Sequence, residues 1–113
     1  MLTKTTPLIR KLHQLFINER DRREALRELQ RYGVSAEEPE DELVRLAILK
    51  LAGGSLDELR KTVDGAKEDW EDIVDWAKRP RQTRCRLTNR KLHDSERQRI
   101  EREDGEEWTQ WMM

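Results

Sequence analysis

Apolar residues recur at helical spacing along the first part of this 113-residue chain. Thr6-Pro7 predicts a helix start, because threonine caps helices and proline lacks only an N–H that has no partner there. The apolar positions that follow share one helical face as far as Gly33, apart from a polar stretch at residues 18–24. The pattern therefore predicts one long helix, with two shorter helices broken near 18–21 as the alternative.

Further helices are predicted between residue 40 and Pro80. Residues 40–52 are apolar nearly all round, which is typical of a central, buried helix. Ser55 and Glu58 have the spacing of a capping box and predict the start of the next helix. Asp69 is suited to cap a short helix that Arg79-Pro80 ends. We therefore expect an all-α fold, a small bundle of about four helices over residues 6–79.

The character of the sequence changes after Pro80. We predict a helical bundle domain over residues 1–80 and a charged C-terminal arm over residues 81–113, either partly helical or mobile. The few large apolar residues of the arm are Leu87, Leu92, Ile100, Trp108, Trp111, Met112 and Met113. That density does not readily offset an ordering cost of about 1–2 kcal/mol per residue, so we expect the arm to be dispensable for folding.

Charge is abundant and segregated into blocks. Charged residues make up 42% of the chain, so the core must be thin. Residues 34–77 carry 5 basic and 13 acidic side chains, a net charge of −8. Residues 78–99 carry 9 basic and 2 acidic side chains, a net charge of +7. Such blocks can pair within one chain or between chains.

Several function classes find no support in the sequence. The single cysteine, Cys85, excludes an intrachain disulfide and fits a reducing compartment. The N-terminus does not have the pattern of a signal peptide, and no apolar run approaches the ~20 residues of a membrane span, so we expect a cytoplasmic protein. His13, His93 and Cys85 lack metal-ligand spacing. Ser55 is explained by capping, and we predict neither an enzyme nor a cofactor.

The basic stretch 78–99 is the best candidate for nucleic-acid binding. Its side chains that could neutralise phosphates are Arg79, Arg81, Arg84, Arg86, Arg90 and Lys91. It contains no aromatic residue on which a base could stack. Accessory nucleic-acid binding is therefore the alternative function, and a solvated or acid-pairing arm is the favoured interpretation.

Four tryptophans supply most of the aromatic content and are candidates for partner binding. Trp70 and Trp76 stand six positions apart on a predicted helix, so at most one of them faces fully inward, and tryptophan is enriched at binding hot spots. Trp108, Trp111 and Met112 would form an apolar patch on a helix. The alternative is that the tryptophans complete a thin core.

The predicted function is a protein–protein interaction module that self-associates. Helix 40–52 offers more apolar perimeter than one thin bundle readily covers, which favours a homodimer. Residues 44–77, with an apolar helix, a Gly-containing turn, Leu-x-x-Leu and an acidic-aromatic pair, resemble a segment of many small uncharacterised bacterial proteins. The resemblance implies a bacterial helical module and no site residue.

Overall fold

The computed structural model describes residues 6–113, and every regular element in that range is an α-helix. About 75% of those residues are helical, which confirms the all-α prediction. The expected number of about four helices is an undercount, because the described range contains seven. They are α1 (Pro7–Leu15), α2 (Glu19–Leu29), α3 (Asp41–Ala52), α4 (Leu56–Glu68), α5 (Trp70–Lys78), α6 (Pro80–Leu87) and α7 (Asp94–Met112).

One difference lies at the N-terminus, where two helices replace the single long one. The chain leaves helical geometry at Phe16, and the Asn18 side chain accepts a 2.8 Å hydrogen bond from the Arg20 backbone N–H. Asn18 thereby caps α2, as the alternative interpretation of the sequence allowed. The other difference is the predicted arm, which contains two further helices, α6 and α7, although the sparse apolar pattern after Pro80 indicated an arm that is partly helical or mobile.

The predicted local caps are confirmed. The Thr6 hydroxyl accepts from the Ile9 N–H at 3.2 Å, and the Ser55 hydroxyl accepts from the Glu58 N–H at 3.2 Å. Asp69 caps α5 by accepting from the Asp72 N–H at 3.2 Å. Each of these bonds spans three residues, so the sequence alone was sufficient to place it.

The core is organised around α3, which packs against α1, α4 and α5. The buried side chains of the main cluster all lie between Leu12 and Ala77. Most apolar side chains of α3 are buried, but Leu51 is 39% exposed. The expectation of a large uncovered apolar perimeter on α3 is therefore wrong.

Beyond Arg79 the chain contains α6 and α7, which contact each other and α5. Trp108 and Trp111 on α7 pack against the core cluster while remaining partly exposed. The division into a domain and an arm at Pro80 stays a prediction. The described residues measure 51 × 28 × 25 Å, so the bundle is elongated. None of its helices combines the length and the apolar character that a membrane span requires.

Two leucines of α3 test the position of the core. Leu49 is fully buried and Leu51 is 39% exposed. We expect Leu49→Ala to lower the free energy of unfolding by about 2–5 kcal/mol through lost burial and a cavity. Leu51→Ala, the matched control, should cost about 1 kcal/mol or less. Urea denaturation measures both values, and equal losses would contradict the described packing of α3.

Candidate interaction surfaces

Trp108 and Trp111 of α7 pack against other helices of the same chain. Their rings stack with centroids 5.5 Å apart and planes at 25°. The buried Lys11 of α1 places its Nζ 4.7 Å from the centre of the Trp111 ring, a cation–π distance. Arg10 donates a hydrogen bond to the Met112 carbonyl. The predicted patch of Trp108, Trp111 and Met112 thus lies against α1 and the core.

Asp104 of α7 joins α7 to the start of α6. It is only 1% exposed, and it accepts hydrogen bonds from the backbone N–H groups of Arg81 (3.2 Å) and Gln82 (3.1 Å). The side chains of the same two residues donate to it at 2.9 and 3.0 Å. Arg79, the residue before α6, supplies no side-chain cap. Asp104 therefore caps α6 from another helix.

The charge of Asp104 is stabilised where it lies. Burial pushes its pKa upward, but the hydrogen bonds from Arg81 and Gln82 outweigh burial and hold the pKa below its ordinary value. Arg81 also pairs with Glu103 at 3.3 Å and Glu107 at 3.5 Å. The carboxylate is therefore ionised at neutral pH and holds the two helices together.

Most of the predicted basic arm already has carboxylate partners. Four of its six side chains form ion pairs: Arg79–Asp75 (2.9 Å), Arg81–Asp104 (2.9 Å), Arg86–Asp75 (3.2 Å) and Arg90–Glu96 (3.6 Å). Arg84 and Lys91 form no ion pair with any residue between 6 and 113. This pairing weakens the case for phosphate binding, because each partnered guanidinium carries a neighbouring negative charge.

Helix α6 presents two opposite faces. One contains Gln82, Cys85 and Arg86 at helical spacing and faces α7 across an open groove. The other, which we call the outer face of α6, presents Arg84 and Leu87, and Leu87 is 63% exposed. The helix ends in a Schellman motif, with Asn89 left-handed at φ 53° and the Arg90 N–H donating to the Cys85 carbonyl at 3.1 Å.

The groove between α6 and the first half of α7 has a volume of about 750 Å³. We call it the basic groove, because four cationic side chains line it against one carboxylate. Its charged lining is Arg86, Arg90, Lys91, Arg97 and Glu101, and its apolar lining is Cys85, Leu92 and Ile100. The sequence analysis did not identify this groove, because it depends on how α7 packs beside α6.

A second opening, the Trp70 cleft, lies between the start of α3 and α5 and has a volume of about 420 Å³. Its apolar lining is Leu43, Trp70 and Val74, and its charged lining is Glu40, Glu71, Asp75, Lys78 and Arg79. Glu40 and Glu71 form no ion pair with a residue of the described range. Trp76 is half-buried and does not line this cleft, so the structure separates the two tryptophans that the sequence grouped.

The hydrogen bonds that Asp104 accepts from Arg81 and Gln82, which we call the Asp104 clamp, can be tested against a neighbouring control. We expect Asp104→Ala to lower the free energy of unfolding by about 1.5–3 kcal/mol, because it leaves the first N–H groups of α6 without a buried acceptor. Glu103→Ala removes an exposed carboxylate that pairs with the same Arg81 and should cost about 1 kcal/mol or less. Urea denaturation of both variants measures the difference.

The sign of the pH dependence follows from the lowered pKa of Asp104. The clamp stabilises the fold fully above the unfolded pKa of about 3.9 and loses its effect as the pH falls through the lower folded value. The difference in the free energy of unfolding between wild type and Asp104→Ala should therefore be constant near neutral pH and become smaller in acid. Equal losses for Asp104→Ala and Glu103→Ala at neutral pH would contradict the clamp.

Comparison with known proteins gives no independent guide to these surfaces. No family model, no curated protein and no solved structure matches this chain. Among residues 6–113, no group of three or more His, Cys, Asp or Glu side chains is arranged to hold a metal ion. The function must therefore be argued from the shape and charge of the surfaces themselves.

Proposed function

We propose that this protein is a protein–protein interaction module that self-associates, and that the outer face of α6 of one copy docks in the Trp70 cleft of another. The observation that supports this is that one chain carries two surfaces that are complementary in charge and that both contain exposed apolar groups. Leu87 is an exposed apolar side chain beside the cation Arg84, which forms no ion pair within residues 6–113. The Trp70 cleft is lined by apolar side chains beside Glu40 and Glu71, two carboxylates that form no ion pair in the same range.

The outer face of α6 has the composition of an interface centre. A single exposed leucine is ordinary on a protein surface. Leu87, however, lies about one helical turn after Arg84, and Arg84 forms no ion pair with any residue between 6 and 113. A leucine inserted into a cleft, with a cation at its edge, supplies the apolar core and polar rim of a protein interface.

The Trp70 cleft provides the matching surface. Trp70 packs on the core from one side and lines the cleft from the other, so its position is fixed before any partner arrives. Tryptophans held in this way are frequent hot spots. The charged lining of the cleft consists of Glu40, Glu71 and Asp75 with Lys78 and Arg79. Arg79 pairs with Asp75 at 2.9 Å, so Glu40 and Glu71 are the carboxylates offered to a cation of a partner, and opposite charges across an interface favour the correct register.

The two surfaces lie on neighbouring elements, which favours a symmetric dimer. Asp75 lines the Trp70 cleft and also pairs with Arg86 of α6 at 3.2 Å. The buried Thr83 hydroxyl donates to the Asp75 carbonyl at 3.2 Å, which fixes α6 against α5. Each copy can then offer its α6 to the partner's cleft across a two-fold axis, as in an isologous interface.

The oligomeric state tests this proposal. We expect light scattering to show a dimer at micromolar concentration near 0.1 M salt, and a weaker dimer near 1 M salt, where exposed charges are screened. Leu87→Ser should give a monomer, because it removes the apolar centre of the interface. Leu51→Ser, which changes another exposed leucine, should leave the dimer intact.

Exchanging the charges of Arg84 and Glu71 tests whether these two side chains meet across the dimer interface. Arg84→Glu and Glu71→Arg should each weaken the dimer, because each places like charges across it. The double variant should recover much of the affinity, since the pair is restored in the opposite sense. A wild-type chain that stays monomeric at about 1 mM would overturn self-association. A dimer unaffected by Leu87→Ser would overturn this interface.

A further inference from the structure

We propose that the basic groove binds an acidic amphipathic helix of a different protein. This site lies on the opposite face of α6 from the proposed self-association surface, and it does not depend on that surface. The argument has three parts: the charge of the lining, its apolar floor and the rigidity of its walls.

The charge of the groove favours an acidic ligand. Among residues 6–113, four cationic side chains line it, and Glu101 is the single carboxylate in the lining. Arg86, Arg90 and Arg97 also pair with carboxylates that do not line the groove: Asp75 at 3.2 Å, Glu96 at 3.6 Å and Asp94 at 4.0 Å. These pairs are solvent-exposed and reduce the positive charge without removing it. The lining itself therefore keeps an excess of cations, which attracts a helix with a few carboxylates.

The floor of the groove favours a protein rather than a nucleic acid. Ile100 is buried, and Leu92 and Cys85 are half-buried, so apolar surface lies beneath the charged rim. An amphipathic helix covers such a floor with one face and meets the rim with charges at its edges. Among the residues that the structure describes, no aromatic side chain lines the groove, so they offer no platform for stacking a base.

The walls of the groove are set before binding. Asp104 fixes the start of α6 to α7 through four hydrogen bonds. The Schellman motif at Asn89 orders the backbone at the C-terminal end of α6. A groove whose walls are already ordered loses less conformational entropy on binding, which favours affinity for a helix of matching charge.

Binding of defined probes tests the proposal. The first probe is a labelled peptide of about 15 residues, with leucines on one helical face and glutamates elsewhere. The second has the same composition in an order that gives no apolar face, and the third is a single-stranded oligonucleotide of similar length. Fluorescence anisotropy near 0.1 M salt measures saturable binding of each probe.

Matched variants locate the binding site. Arg97 lines the groove, whereas Arg102 lies on the same helix outside it. We expect Arg97→Glu to weaken binding of the amphipathic peptide about tenfold or more, and Arg102→Glu to change it by about twofold or less. Leu92→Ser should also weaken binding by removing part of the floor. Circular dichroism confirms that each variant is folded.

The outcomes are distinct from those of the self-association test. The proposal holds if the amphipathic peptide binds at least about tenfold more tightly than the reordered peptide and the oligonucleotide. A Leu87→Ser chain should retain this binding, whatever its oligomeric state. No saturable binding, equal binding of the two peptides, or tighter binding of the oligonucleotide would overturn the proposal, and the last result would make the groove a polyanion site.

Discussion

Charged side chains cap helices in this protein from positions on other helices. Asp104 of α7 accepts the first free N–H groups of α6. Lys50 of α3 donates to the Ala77 carbonyl at the end of α5 at 2.5 Å, and Arg45 of α3 donates to the carbonyl of Leu29, the last residue of α2, at 3.2 Å. Because every helix end leaves backbone groups without intrahelical partners, each of these bonds both completes one helix and fixes its position against another.

This arrangement explains how a chain with so much charge maintains order around a thin core. Within residues 6–113, no buried side-chain nitrogen or oxygen lacks a hydrogen-bond partner. The apolar cluster from Leu12 to Ala77 supplies the main stabilisation, and Asp104 attaches α6, which contributes no residue to that cluster. Because α6 is attached at its start and along one side, its other faces remain open to partners.

The sequence predicted the features that depend on residues close together in the chain. It did not predict the features that depend on contacts between residues far apart in the chain. The caps at Thr6, Ser55 and Asp69 were predictable because donor and acceptor lie three residues apart. Helix α6 was not, because its cap is Asp104, more than 20 positions away. Pro80 at its start and Asn89 after its end were the available local signals. The basic groove depends on the packing of two helices, so periodicity alone could not reveal it.

Amide hydrogen exchange of wild type and Asp104→Ala tests the central claim that capping by a distant charge holds α6 in place. The account predicts that in the variant the amides of α6 exchange about tenfold faster or more and lose most of their protection, through local opening of that helix. The amides of α3 should stay protected and lose no more than the drop in the free energy of unfolding that urea denaturation measures. Asp104 would then be the attachment on which the proposed surfaces of α6 depend. Unchanged exchange in α6, or α6 amides that stay as protected as those of α3 in the variant, would contradict the account.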